Sequence, residues 1–78
     1  MKISEFLKEE RLKRCLSQRE MADCIGVNQS TYATYESAWL DKKRNQKRVP
    51  GYITARRIAA FTGKTSEYIN ELIENERR

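Results

Sequence analysis

Gln29, Ser30, Ala33 and Thr34 are the side chains of this chain best placed to do chemistry at a surface. Their spacing puts them on one face of a helix, within a turn and a half of each other. A glutamine amide donates and accepts at once, so Gln29 can bond bidentately to adenine N6 and N7. Ser30 can donate or accept at a base edge or a phosphate. Ala33 is short enough to allow close approach, and Thr34 can set its methyl against that of thymine. This is recognition by hydrogen bonding, with no bond made or broken. Catalysis is not expected: there is no histidine, no nucleophile and base at usable spacing, and no glycine-rich phosphate loop. Cys15 and Cys24 are too few and wrongly spaced for a zinc site, so no metal or cofactor is expected.

The elements that must carry this face are legible around it. Ser17-Gln18-Arg19-Glu20 is a capping box that opens a helix with Ser17 as N-cap and Glu20 at N3. Met21, Ala22 and Ile25 are its core side, and Gly26 supplies the positive φ that stops it. Asn28 is a good N-cap for the next helix, which runs from Gln29 to at least Ser37. Tyr32 and Tyr35 hold that helix to the rest of the domain. The pattern Gln18-x3-Ala22-x3-Gly26-x5-Tyr32-x2-Tyr35-Glu36 is that of a helix-turn-helix over 18–37, two short helices packed at a steep angle.

Gln18 to Glu36 resembles the lambda-repressor-like family of helix-turn-helix proteins (Cro, phage repressors, Xre-type regulators), and the likeness extends over roughly Ile3 to Ile73. Gly63-Lys64-Thr65 followed by Tyr68-Ile69 resembles that family's turn into its fifth helix. The resemblance implies an all-α, five-helix domain whose third helix enters the DNA major groove by its N-terminal end. It implies that Gln29, with Ser30, Thr34 and Ala33, reads bases. It implies that Gln18, with Arg19 and Asn28 beside it, meets the DNA backbone, and that Gln18 also braces Gln29. Arg11 lies where many members carry a basic residue, which implies a structural pair with Glu36. Cys15 stands where the family usually has glycine. A left-handed backbone there would cost about 1–2 kcal/mol.

Flanking segments complete one domain over 1–78. A first helix is expected from Ser4 to Arg14, with Ile3, Phe6, Leu7 and Leu12 buried and Lys8, Glu9, Glu10, Lys13 and Arg14 solvated. Residues 38–51 are longer than the family's usual turn. Their first part, through Lys43, is read as an extension of helix three, with Trp39 or Leu40 packing back on the core. The remainder is an extended basic loop closed by Pro50-Gly51. Lys42, Lys43, Arg44, Lys47 and Arg48 place five cations in seven residues, the composition expected of phosphate contacts. A fourth helix is expected from Tyr52 to Thr62, facing inward through Ala55, Ile58, Ala59 and Thr62. Thr65 caps a fifth, carrying Tyr68, Ile69, Leu72 and Ile73, and Asn75 to Arg78 are expected to fray. Leu72 and Ile73 fit either packing on helix one or a homodimer contact.

The 78 residues carry a net charge of +5 and 38% hydrophobic residues. That suits a small helical bundle with a polyanionic partner. No run approaches a membrane span, no secretory signal is visible, and the cysteines read as free thiols of a cytoplasmic protein. The leading expectation is a small cytoplasmic repressor, binding double-stranded operator DNA as a homodimer. The family's small members imply a phage, mobile-element or toxin–antitoxin setting. The competing expectation is a protein-interaction module, an antitoxin that sequesters a toxin, which an apolar patch exposed on helix one or five would mark. Binding to structured RNA is a third.

Overall fold

Three of the helices begin on side-chain caps that the sequence states, and two end on glycine. A computed structural model describes every residue except Arg44, with the backbone alone of Asp41 and Gln46. Five helices run α1 (Ile3–Lys13), α2 (Gln18–Ile25), α3 (Gln29–Glu36), α4 (Tyr52–Thr62) and α5 (Ser66–Arg77). Between α3 and α4 lie two short strands, β1 (Leu40–Asp41) and β2 (Gln46–Lys47), paired antiparallel with Leu40 opposite Lys47. The described fold is all-α apart from this one small ladder.

The starts follow the expected caps. Ser17 Oγ accepts from Glu20 N at 3.1 Å while Glu20 Oε1 accepts from Ser17 N at 2.9 Å, the reciprocal box. Asn28 Oδ1 accepts from Thr31 N at 2.8 Å, and Thr65 Oγ1 from Tyr68 N at 3.0 Å.

The ends share one device. Gly26 and Gly63 take φ of 74°, Cys15 57° and Ala38 53°. After each of these, the next N–H returns to a carbonyl five residues earlier: Leu16 to Arg11, Val27 to Ala22, Trp39 to Thr34 and Lys64 to Ala59. These left-handed turns satisfy carbonyls that a helix end leaves open. Glycine does this freely, whereas Cys15 and Ala38 hold the same conformation against a Cβ clash.

The turn at Ala38 corrects the expectation for the insertion. Helix α3 stops at Glu36 instead of continuing towards Lys43, because the left-handed residue turns the chain out of the helix and into β1. Arg48 N then donates to Trp39 O at 2.8 Å, extending the pairing beyond the ladder. Trp39 and Leu40 do not pack back on the core; they are 47% and 45% exposed.

The core draws Ile3, Phe6 and Leu7 from α1, Met21, Ala22 and Ile25 from α2, and Tyr32 and Tyr35 from α3. Ala55, Ile58 and Ala59 from α4 join Ile69, Leu72 and Ile73 from α5. Helix α1 packs on α3 and α5, α2 on α3 and α4, and α4 on α5. Leu72 and Ile73 are therefore used inside the chain's own core. Thr62 is half-buried, and its hydroxyl donates to Ile58 O at 2.8 Å.

Three further expectations are corrected. The buried stripe of α1 is Ile3, Phe6, Leu7 and Glu10, spaced as one helical face, and Leu12 lies off it and is exposed. Glu10 is buried rather than solvated, held by Lys13 Nζ at 2.9 Å and Arg14 Nη1 at 3.0 Å. Burial alone would raise its pKa, but these two cations outweigh it and hold the carboxyl below its ordinary range. Asn75 to Arg77 continue α5 instead of fraying. Asn75 Nδ2 donates to Met1 O at 2.9 Å, and the buried Glu76 Oε1 accepts from Ser4 N at 3.0 Å, capping the start of α1. Lys47 Nζ lies 3.6 Å from Glu76 Oε2 and ties the hairpin to α5.

Candidate nucleic-acid interface

Helix α3 is divided by its own side chains into an anchored and an open face. Tyr32 and Tyr35 point inward, 0% and 6% exposed, and the Tyr32 hydroxyl donates to Leu7 O at 3.4 Å. Burial and the neighbouring Glu36 carboxylate push the Tyr32 pKa far above its ordinary value, so it stays a neutral phenol. On the other side, Asn28, Gln29 and Ser30 are exposed at the N-terminal end, while Ala33 and Thr34 are half-buried. Thr34 Oγ1 donates to Thr31 O at 2.6 Å, which occupies its proton within the helix and leaves acceptor capacity and the methyl.

The C-terminal end of α3 is held by an ion-pair cluster joining three helices. Arg11 Nε donates to Glu36 Oε2 at 2.6 Å and Arg11 Nη2 to Oε1 at 3.2 Å, a two-pronged pair, while Arg11 Nη1 donates to Leu16 O at 3.0 Å. Gln18 Nε2 donates to Glu36 Oε1 at 3.3 Å. The side chains of Arg11 and Glu36 are 14% and 6% exposed. Burial would raise the Glu36 pKa. Hydrogen bonds from Arg11 and Gln18, with the Tyr32 hydroxyl close by, outweigh it and hold the carboxyl below its ordinary range. The hydrogen bond to Glu36 in turn raises the Arg11 pKa. The expected structural pair is thus present. Gln18 gives its amide proton to Glu36, at the far end of α3 from Gln29.

Arg19 is exposed beside Gln18 on the first turn of α2. Of the insertion's cations, Lys42 and Lys43 are exposed, Lys47 is engaged with Glu76, and the Arg48 guanidinium lies 5.8 Å from the Trp39 ring centroid. Arg44, also expected at the DNA backbone, lies outside the described residues. The structure brings Gln18 against the C-terminal end of α3, and it fastens the hairpin to α5 through Lys47.

One contact escaped the sequence reading, which left Arg56 and Arg57 as ambiguous cations of the fourth helix. Arg57 Nη1 donates to Gly26 O at 3.3 Å, so α4 braces the turn that leads into α3. A Cβ at residue 26 would run into that guanidinium, a second reason for glycine besides its φ of 74°. Arg57 and Gly26 are 31 residues apart, and nothing in their spacing marks the contact.

No group of three or more metal-ligating side chains occurs among the described residues. Among them, too, no helix is long and apolar enough to cross a membrane. Compared with models of protein families, with curated proteins and with solved structures, the chain matches none.

Proposed function

We propose that this protein is a sequence-specific, double-stranded-DNA-binding regulator of the lambda-repressor-like kind, reading the major groove with the N-terminal end of α3. The observation that carries the reading is the division of α3. Its aromatic face is fully buried and its far end is clamped by Arg11 and Glu36, while Gln29 and Ser30 stand exposed where the helix begins. An anchored helix presenting an amide and a hydroxyl loses little backbone freedom on docking, and its free N–H groups favour nearby phosphate. In this reading Gln29 and Ser30 meet base edges and Ala33 and Thr34 line the approach. Gln18, Arg19 and Asn28 meet the phosphates, and the net charge of +5 speeds encounter with the duplex. Two copies on a palindromic site would place two α3 helices in successive major grooves, about 34–36 Å apart. Burial of Leu72 and Ile73 leaves any such pairing to other residues. A protein-binding alternative would use the apolar side chains that stay exposed on these helices, Leu12 on α1 and Tyr68 on α5.

Selection of bound fragments from a random duplex pool tests the reading. A palindromic consensus is the expected outcome, and Gln29→Ala should weaken binding to it by about 1–3 kcal/mol and relax the preference at one base pair. No enrichment above the input pool would refute DNA reading altogether.

A further inference from the structure

We propose, resting on the DNA reading above, that Arg57 is a positioning residue for the N-terminal end of α3. Through that end it sets how sharply Gln29 and Ser30 discriminate between bases. Arg57 stands on the exposed side of α4, a helix seated in the core by Ala55, Ile58 and Ala59. Its guanidinium reaches the α2–α3 turn, where Nη1 donates to Gly26 O at 3.3 Å. The side chain also lies along Gly26: a Cβ there would meet Nη1, with Cζ at 3.1 Å and Cδ at 3.4 Å. Arg57 therefore packs on the turn as well as bonding to it, which holds it better than one exposed hydrogen bond would. Its neighbour Arg56 is turned elsewhere, with its guanidinium 5.8 Å from the Tyr52 ring centroid.

Leverage gives a contact on the turn this effect. The C-terminal end of α3 is clamped by Arg11, Gln18 and Glu36, so looseness is expressed at the other end. Helix α3 has 8 residues, which sets Gln29 about 10 Å from Glu36 along the axis at ~1.5 Å per residue. A tilt of about 5° around the clamp carries Gln29 by roughly 1 Å over that length. Hydrogen bonds to base edges hold their lengths within a few tenths of an ångström, so such a shift breaks a bidentate contact. Phosphate contacts carry no sequence information, and long cationic side chains can follow a small tilt. Loosening the turn therefore removes discrimination before it removes affinity for duplexes in general. The brace acts close to the helix start, because Gly26 leads into Asn28, whose side chain caps α3.

Arg57→Gln and Arg56→Gln each remove one positive charge from the same stretch of α4, and only the first cuts the contact with Gly26. Both full-length variants are titrated with a duplex selected from a random pool and with scrambled duplexes of equal length. The titrations are repeated at several salt concentrations, with folding checked by circular dichroism. The ratio of selected to scrambled affinity should fall about fivefold or more in Arg57→Gln, the low end of what one bidentate base contact supplies. It should hold in Arg56→Gln. In the free chain, the Gln29 side-chain amide and the backbone N–H resonances of Val27 to Ser30 should shift with Arg57→Gln alone. Affinity lost alike on all duplexes, with a salt slope flattened by about one, would make Arg57 a plain phosphate contact and overturn the proposal. An unchanged ratio in a folded but less stable variant overturns it too, since that is stabilisation without positioning. Equal loss of the ratio in both variants would trace the effect to charge and do the same. Failure to select any duplex refutes the DNA reading and the discrimination with it. The free-chain resonances judge the brace without DNA, and unshifted Val27 to Ser30 signals overturn it.

Discussion

Cutting Arg11 to alanine should destabilise this protein more than any other change at a partly exposed position. The guanidinium meets Glu36 through two nitrogens at 2.6 and 3.2 Å and closes the α1–α2 turn through Leu16 O. With both side chains largely shielded from water, at 14% and 6% exposure, removal of one partner leaves a carboxylate facing only Gln18 and Tyr32. Breaking such a pair costs about 3–5 kcal/mol, against under ~1 kcal/mol for a solvated one. At ~0.05–0.15 kcal/mol per residue, a chain of this size has on the order of 4–12 kcal/mol in all, so Arg11→Ala should remove a large part of the margin. Urea unfolding followed by circular dichroism, run on Arg11→Ala, Glu36→Ala and the double variant, gives the coupling directly. We expect about 1.5 kcal/mol or more, because both single changes orphan the same cluster. Additivity within about 0.5 kcal/mol would refute the reasoning and reduce the pair to a surface contact.

The remaining expectations concern the same framework. Because the folded Glu36 pKa lies below 4.5, its stabilisation is complete above that ordinary value and is lost as pH falls through the depressed one. Melting temperatures across the acid range should therefore drop more steeply for the native chain than for Glu36→Gln, and parallel curves would remove Glu36 as the cause. Cys15→Gly should stabilise by roughly 1 kcal/mol, since Cys15 is exposed and sits at φ 57°, where a Cβ costs more than glycine's extra entropy in the unfolded chain. An unchanged or lowered urea midpoint would contradict this. Glu76→Ala should cost about 1–3 kcal/mol by leaving Ser4 N without its acceptor. It should also speed hydrogen exchange in the hairpin by releasing Lys47; exchange unchanged at Trp39 and Arg48 would mean that the tie is idle.

Caps, turns and faces were the legible part of this chain because each is decided within a turn or two of backbone. Ser17 with Glu20, Asn28 with Thr31, and Thr65 with Tyr68 announce helix starts without reference to the rest of the molecule. Gly26 announces a stop in the same way, and the bounds of α4 follow from its own period. Glu10 was legible in principle, being seven residues after Ile3 on the stripe that Phe6 and Leu7 share; reading its charge ahead of its position placed it in water. The pairing of Arg11 with Glu36 came from resemblance to a family rather than from spacing. The opening face of Gln29 and Ser30 stands where the pattern placed it, and its use against DNA is a proposal.

What the sequence alone determined, then, is where the helices start, where α2 and α4 stop at their glycines, and most of each apolar side, since local hydrogen bonds and periodicity decide these. Where the insertion goes was decided by tertiary structure. Ala38 adopts a left-handed turn that its residue type does not favour, and Glu76 reaches Ser4 across 72 residues and engages Lys47 as well. Arg57 reaches Gly26 across 31 residues. Contacts at that separation depend on how all the helices pack at once. The same packing that seats α3 therefore leaves Trp39 and Leu40 outside the core.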